Sequence, residues 1–204
     1  MENTCLFKTA TTSQSTIADF ISKIKDGSTG NVGDSVRIPF KDGRHVEFVI
    51  TDVDASGVRF ESRDCLNEYT PMTQIADYLT RVWNQLPEEL QDAIVFTERK
   101  HHDVVGRVEV SNERLFLPAA SEIFAPDDCY GDRGLYEQLD WYKDVHNRVR
   151  ALGEGDDADW YWTSSRRAGY TAYWCCVNAG GYASRYNASS TTVAAPVCFR
   201  ISKS

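Results

Sequence analysis

Apolar residues fall at Ile17, Phe20, Ile21 and Ile24, the i, i+3, i+4, i+7 spacing of one helix face. A helix is predicted there, capped by Ser15 or Thr16 and stopped by Gly27. The period then changes from helical to two. Val46, Phe48 and Ile50 alternate with Glu47, Val49 and Thr51, and the turn signals Asp42-Gly43 and Asp54-Ala55-Ser56-Gly57 bracket them. This predicts a meander of strands at residues 36–40, 45–53 and 58–62. Helical spacing returns at Ile75, Tyr78, Leu79 and Val82. Pro87 suits the start of a short helix over 88–94, with Glu88 and Glu89 at its positive end. Further strands are predicted at 95–99 and 114–117, the second ended by Pro118, with one helical turn at 119–124. Residues 131–134 read as a loop, 135–150 as a helix weakened by Asp140 and Asp144, and 153–157 as a polar linker. The remainder reads as short strands at 160–165, 171–178, 182–186 and 197–201 between Gly-, Asn- and Ser-rich turns. The fold class expected from this order is α+β, with a β-rich end.

At 204 residues and 42% hydrophobic content the chain can bury a substantial core, as one large domain or one with a small appendage. No apolar run approaches the length of a membrane span, so membrane insertion is not expected. The opening MENTCLFKTATTSQST has neither a basic nor an apolar signal region, and the expectation is no signal peptide and synthesis in the cytoplasm. Net charge is −8, which argues against a nucleic-acid partner. The charge is uneven. Residues 160–204 hold Arg166, Arg167, Arg185, Arg200 and Lys203 and no acid, while the other residues hold 17 basic and 30 acidic side chains. The tail is therefore either a neutral-to-positive surface on an acidic body or a set of buried strands that need few charges.

That tail also holds 5 of the 10 Tyr and 3 of the 5 Trp, interleaved with Ser, Asn, Gly and Ala. Rigid aromatics with small adaptable hydrogen-bonding residues are the composition of recognition surfaces. No GxGxxG, P-loop, GxSxG or HExxH motif occurs, and no catalytic residue, cofactor or metal site is assigned. His101-His102 reads as a surface pair, and Asp127, Asp128 and Asp132 as a solvated loop rather than a calcium site. Cysteines at 5, 65, 129, 175, 176 and 198 show no zinc spacing and are expected to be reduced. Cys175 and Cys176, being adjacent in a strand, must face opposite sides. Trp160 and Trp162 are expected to be core anchors.

Several segments taken in order resemble one family. They are Ile38-Pro39-Phe40 and the 45–65 block, Leu115-Phe116-Leu117-Pro118, Ser121-Glu122-Ile123-Phe124, Tyr130-Gly131, and Tyr136-Glu137-Gln138-Leu139. In the tail they are residues 160–165 (WYWTSS), Arg167, 174–178 (WCCVN), 187–189 (NAS) and 196–201 (PVCFRI). Together, over roughly residues 33–201, they resemble variable proteins of diversity-generating retroelements, which have a C-type-lectin-like fold of the formylglycine-generating-enzyme type. The resemblance implies a helical extension over 1–32, a C-type-lectin-like domain over 33–204 and a variable region near 160–201. It implies a non-enzymatic protein that binds a protein or cell-surface ligand, displayed in a host cell or on a phage particle. In that family, copying errors at template adenines turn Asn codons into many others, but never those of Lys, Gln, Glu, Met or Trp. Residues 169–199 contain no Lys, Gln, Glu or Met, and their one Trp, Trp174, falls where the family keeps an aromatic.

By resemblance the diversified positions are Tyr170, Tyr173, Asn178, Tyr182, Ser184, Arg185, Tyr186, Ser190 and Thr192. With Arg167 they form the expected ligand-binding set. The constant framework is Trp160, Trp162, Trp174, Pro196, Phe199 and Ile201. The calcium motifs of sugar-binding C-type lectins are missing. Two alternatives remain open: a thiol-dependent oxidase using Cys175, Cys176 and Cys198, and a phage tail component whose aromatic tail is an oligomer interface.

Overall fold

A computed structural model of the chain describes residues 17–28, 30–128, 131–167 and 169–203. The helix cap expected at Ser15 or Thr16, and Cys5, Cys129 and Tyr130, lie outside them.

The meander forms as its alternation predicts. Strands β1 (Ser35–Pro39), β2 (His45–Asp54) and β3 (Gly57–Ser62) pair antiparallel, with Ile38 opposite Val46 and Ile50 opposite Phe60. The final strand, which we call β11 (Cys198–Ile201), returns from the other end of the chain to pair with β3 and completes the sheet order β1-β2-β3-β11. Phe199 sits opposite Phe60, and their rings stack with centroids 5.2 Å apart. Helix α1 (Ile17–Lys25) lays Ile21 and Ile24 into the same core, and Phe20 meets the Phe60 ring edge-on. Helices α2 (Ile75–Gln85) and α3 (Glu88–Ala93) add Tyr78, Val82 and Leu90. The Tyr78 hydroxyl donates to the carbonyl of Ala195 at 2.8 Å.

The middle of the chain departs from its reading. Strands β4 (Thr97–His102) and β5 (Val108–Glu113) form a hairpin in place of the strands expected at 95–99 and 114–117. Phe116 instead makes an isolated bridge to Cys198. Helix α4 (Ala120–Ile123) is the single turn expected. The helix expected over 135–150 is absent, replaced by two 3-10 turns, Asp140–Lys143 and Val145–Arg148. Side chains have taken the backbone groups that an α-helix would use. Asp144 Oδ1 accepts from the His146 N–H at 2.9 Å. The carbonyl of Tyr142 is held by Arg148 Nε at 2.6 Å and that of Trp141 by Asn147 Nδ2 at 2.8 Å. Such local capture competes directly with helix propagation. The 153–157 segment is the turn of a small hairpin, β6 (Arg150–Ala151) with β7 (Ala158–Asp159), rather than a linker. Glu154 in that turn pairs with Arg37 on β1 at 2.9 Å.

Strands β8 (Tyr161–Arg166), β9 (Tyr173–Val177) and β10 (Ala183–Asn187) form a second antiparallel sheet in the order β10-β9-β8. Trp162 is fully buried in the main core, and its Nε1 donates to the Thr70 carbonyl at 2.7 Å. Tyr161, on the other face, enters a second apolar cluster with Ile123, Phe124, Tyr142, Cys175 and Val177. Both sides of β3 are covered, which buries Arg59 and Glu61. Arg59 and Arg99 converge on Glu122 at 2.6 and 2.7 Å, and Arg150 reaches Glu61 at 2.6 Å. The architecture is α+β, with several small antiparallel sheets.

Candidate ligand-binding site

Three turns join or follow the strands of the second sheet, held by backbone bonds and, in two of them, by short polar side chains. After β8 the chain loops back so that the Arg167 N–H donates to the Tyr173 carbonyl at 3.0 Å, while the Arg167 carbonyl accepts from the Tyr170 N–H at 3.2 Å. Between β9 and β10, Asn178 Oδ1 accepts from the N–H groups of Gly180 and Tyr182 at 2.9 and 3.0 Å. Gly181 closes this turn with φ +80°, and a Cβ there would stand 2.9 Å from the Val145 carbonyl oxygen, so only glycine fits both demands. After β10, Asn187 Oδ1 accepts from the N–H and the hydroxyl of Ser189 at 3.0 and 2.8 Å. The second and third are Asx-type turns, whose shape is set by Asn and Gly and leaves the neighbouring side chains outward.

Each side chain of the expected ligand-binding set is exposed or partly exposed. Tyr170, Tyr173, Tyr182 and Tyr186 are 46%, 39%, 63% and 41% exposed, far from the burial a Tyr reaches in a core. Arg185 and Thr192 are exposed, and Arg167, Asn178, Ser184 and Ser190 are half-buried. Arg167, Tyr170, Tyr173, Ser184 and Arg185 come together around an open cavity of about 460 Å³. The Arg167 guanidinium lies 4.0 Å from the centre of the Tyr170 ring, and Tyr170 meets Tyr173 edge-to-face at 6.0 Å. The other five positions lie outside this cavity. Tyr186 leans edge-on against Trp160, Ser190 and Thr192 bond to each other at 3.1 Å, and the Asn178 oxygen is committed to its turn.

The expected framework divides in two. Trp162, Pro196, Phe199 and Ile201 are buried. Trp160 and Trp174 are only partly buried and form the floor on which exposed groups rest, with the Arg166 guanidinium 4.5 Å from the Trp174 ring centre. Trp160 is thus an anchor in part only.

The thiols are not open on this face, although Cys176 meets the cavity-lining Ser184. Cys65, Cys175, Cys176 and Cys198 are buried and unbridged. Burial pushes Cys65 and Cys176 up to about 12, the Ser184 hydroxyl only partly offsetting this at Cys176, and burial also pushes Cys198 well up. A nucleophilic thiol needs the opposite environment. The oxidase reading therefore draws no support from these groups.

A second cavity, of about 530 Å³, went unread in the sequence because the β4–β5 hairpin did. The hairpin turn, Gly131-Asp132-Arg133, Arg166 and Gly169 line it. Asp132 is not solvated as expected. Its side chain is buried, accepts the His102 N–H at 2.8 Å, and has its pKa raised by that burial. His101 and His102 are half-buried and splay to opposite faces of β4. Among the described residues no cluster of three or more His, Cys, Asp or Glu is arranged to hold a metal ion, and no helix is long and apolar enough to cross a membrane.

Comparison with protein-family models, curated proteins and solved structures finds no match to this chain.

Proposed function

We propose that this protein is a ligand-binding module with a C-type-lectin-like scaffold, whose edge turns over 167–192 form a surface open to retroelement-driven diversification. One observation carries the reading. The positions expected to vary are solvent-accessible, while Trp162, Pro196, Phe199 and Ile201, expected to stay fixed, are buried beneath them. Side chains that hold no part of the core can change at small cost in stability. Loops on a rigid scaffold are where such freedom and function coincide. The return of β11 to pair with β3 supports the scaffold, because it ties the variable segment into the main sheet at its carboxyl end. The ligand is a protein or another cell-surface molecule, bound without a cofactor.

The decisive test lies in the neighbouring DNA. A near-copy of the segment encoding 160–201, beside a reverse transcriptase gene and differing at adenines, is expected. Mismatches scattered over all four bases, or falling on the Trp162 and Phe199 codons, would remove the diversification claim.

A further inference from the structure

Resting on the binding-surface reading above, we infer that Arg167 is the constant anchor of the 460 Å³ cavity and that it takes a carboxylate from an acidic segment of the partner protein. Arg167 is not among the positions that the family resemblance marks as diversified, whereas the other four lining residues are. Its place is set by main-chain bonds, the N–H to the Tyr173 carbonyl at 3.0 Å and the carbonyl from the Tyr170 N–H at 3.2 Å. Those bonds persist whatever side chains occupy 170 and 173. The main chain at 167 therefore stays in place while its neighbours change, and it carries the guanidinium, here resting on the Tyr170 ring, at the cavity wall.

Charge selects the ligand chemistry. Two guanidiniums and the Ser184 hydroxyl line the cavity, no acidic residue does, and none occurs anywhere in 160–204. A planar guanidinium pairs with a carboxylate through two parallel hydrogen bonds. The rest of the chain, with 17 basic against 30 acidic residues, repels extended polyanions. A short segment whose few carboxylates are spaced by neutral residues meets the local field with less of that penalty than a densely charged sulfated or polysialylated glycan. Tyr170 and Tyr173 then pack the stem of the acidic side chain, and residues 184 and 185 adjust the fit.

The probe is a short Glu-Gly repeat peptide carrying a neutral dye, read by fluorescence anisotropy on the full chain. A Gln-Gly peptide and a labelled sialylated glycan serve as comparisons. The Glu peptide is expected to bind, to lose at least about tenfold in affinity in Arg167→Gln, and to weaken as salt rises to about 0.15 M. Arg37→Gln, which removes the same charge from a distant strand, is expected to leave binding unchanged. Thermal unfolding of each variant confirms that it is folded. Equal binding of the Glu and Gln peptides, no binding of either, or binding of the glycan alone would overturn the assignment. If Arg167→Gln binds as the parent does while Tyr170→Ser does not, the surface stands and the carboxylate role falls. If no substitution around the cavity alters any binding, the surface reading falls with it.

Discussion

Glu122 is the single side chain on which most buried charge depends. Arg59 and Arg99 both close on it, and it also accepts the Ala119 N–H at 2.7 Å. Burial on its own would raise its pKa, but the two guanidiniums outweigh burial and hold the carboxyl far below its ordinary value of 4.5. A carboxyl lowered on folding stabilises the protein above its unfolded value, and that contribution drains away as pH falls below it. Glu122→Gln removes the carboxylate that Arg99 pairs with and leaves Arg59 and Arg150 to share the Glu61 carboxylate. Near neutral pH it is expected to cost about 3–5 kcal/mol, the scale for breaking a buried pair. Urea unfolding as a function of pH checks this. The gap between parent and variant should narrow as pH falls below 4.5, and parallel profiles would show that Glu122 is not the titrating support.

At the scale of elements, closure of the main sheet hangs on the β2–β3 turn. Gly57 has φ +137°, and a Cβ there would stand 2.2 Å from the Ile201 carbonyl oxygen on β11. Gly57→Ala is expected to lose about 2–3 kcal/mol in urea unfolding, and Gly43→Ala, whose Cβ would meet nothing within 4 Å, about 1 kcal/mol. Equal losses would mean that the approach of β11 is not the constraint. The same elements show what the sequence made legible. Val46, Phe48 and Ile50 alternate cleanly, and β2 forms where they predict. Arg59 and Glu61 alternate just as cleanly, yet the face they mark is buried, because their partners, Glu122 and Arg150, lie 63 and 89 residues away. The β4–β5 hairpin hid for the same reason. Arg99 reads as a solvent residue until its contact with Glu122 is known. The 135–150 segment failed through local chemistry that was visible, the Asp144, Asn147 and Arg148 side chains competing for helix hydrogen bonds.

For the whole molecule, the division between frame and face follows burial at Trp162, Pro196, Phe199 and Ile201, while Trp160 and Trp174 are only partly buried. The Tyr, Ser and Arg composition of the tail marked the face, and the turn residues Asn178, Gly181 and Asn187 shaped it. Composition could not tell that five of the ten positions would share one cavity, since that depends on Arg167, Tyr170 and Tyr173 meeting Ser184 and Arg185 of β10 in space. The central claim is that this face is free to differ while the frame is not. Thermal unfolding of a variant carrying Tyr170→Ser, Tyr173→Ser, Tyr182→Ser, Arg185→Ser and Tyr186→Ser together, set beside Phe199→Ala, tests it most directly. The five-fold variant is expected to unfold within about 5 °C of the parent, and Phe199→Ala about 10 °C below it, from the loss of about 3–5 kcal/mol of core packing. A five-fold variant that unfolds as early as Phe199→Ala would contradict the claim.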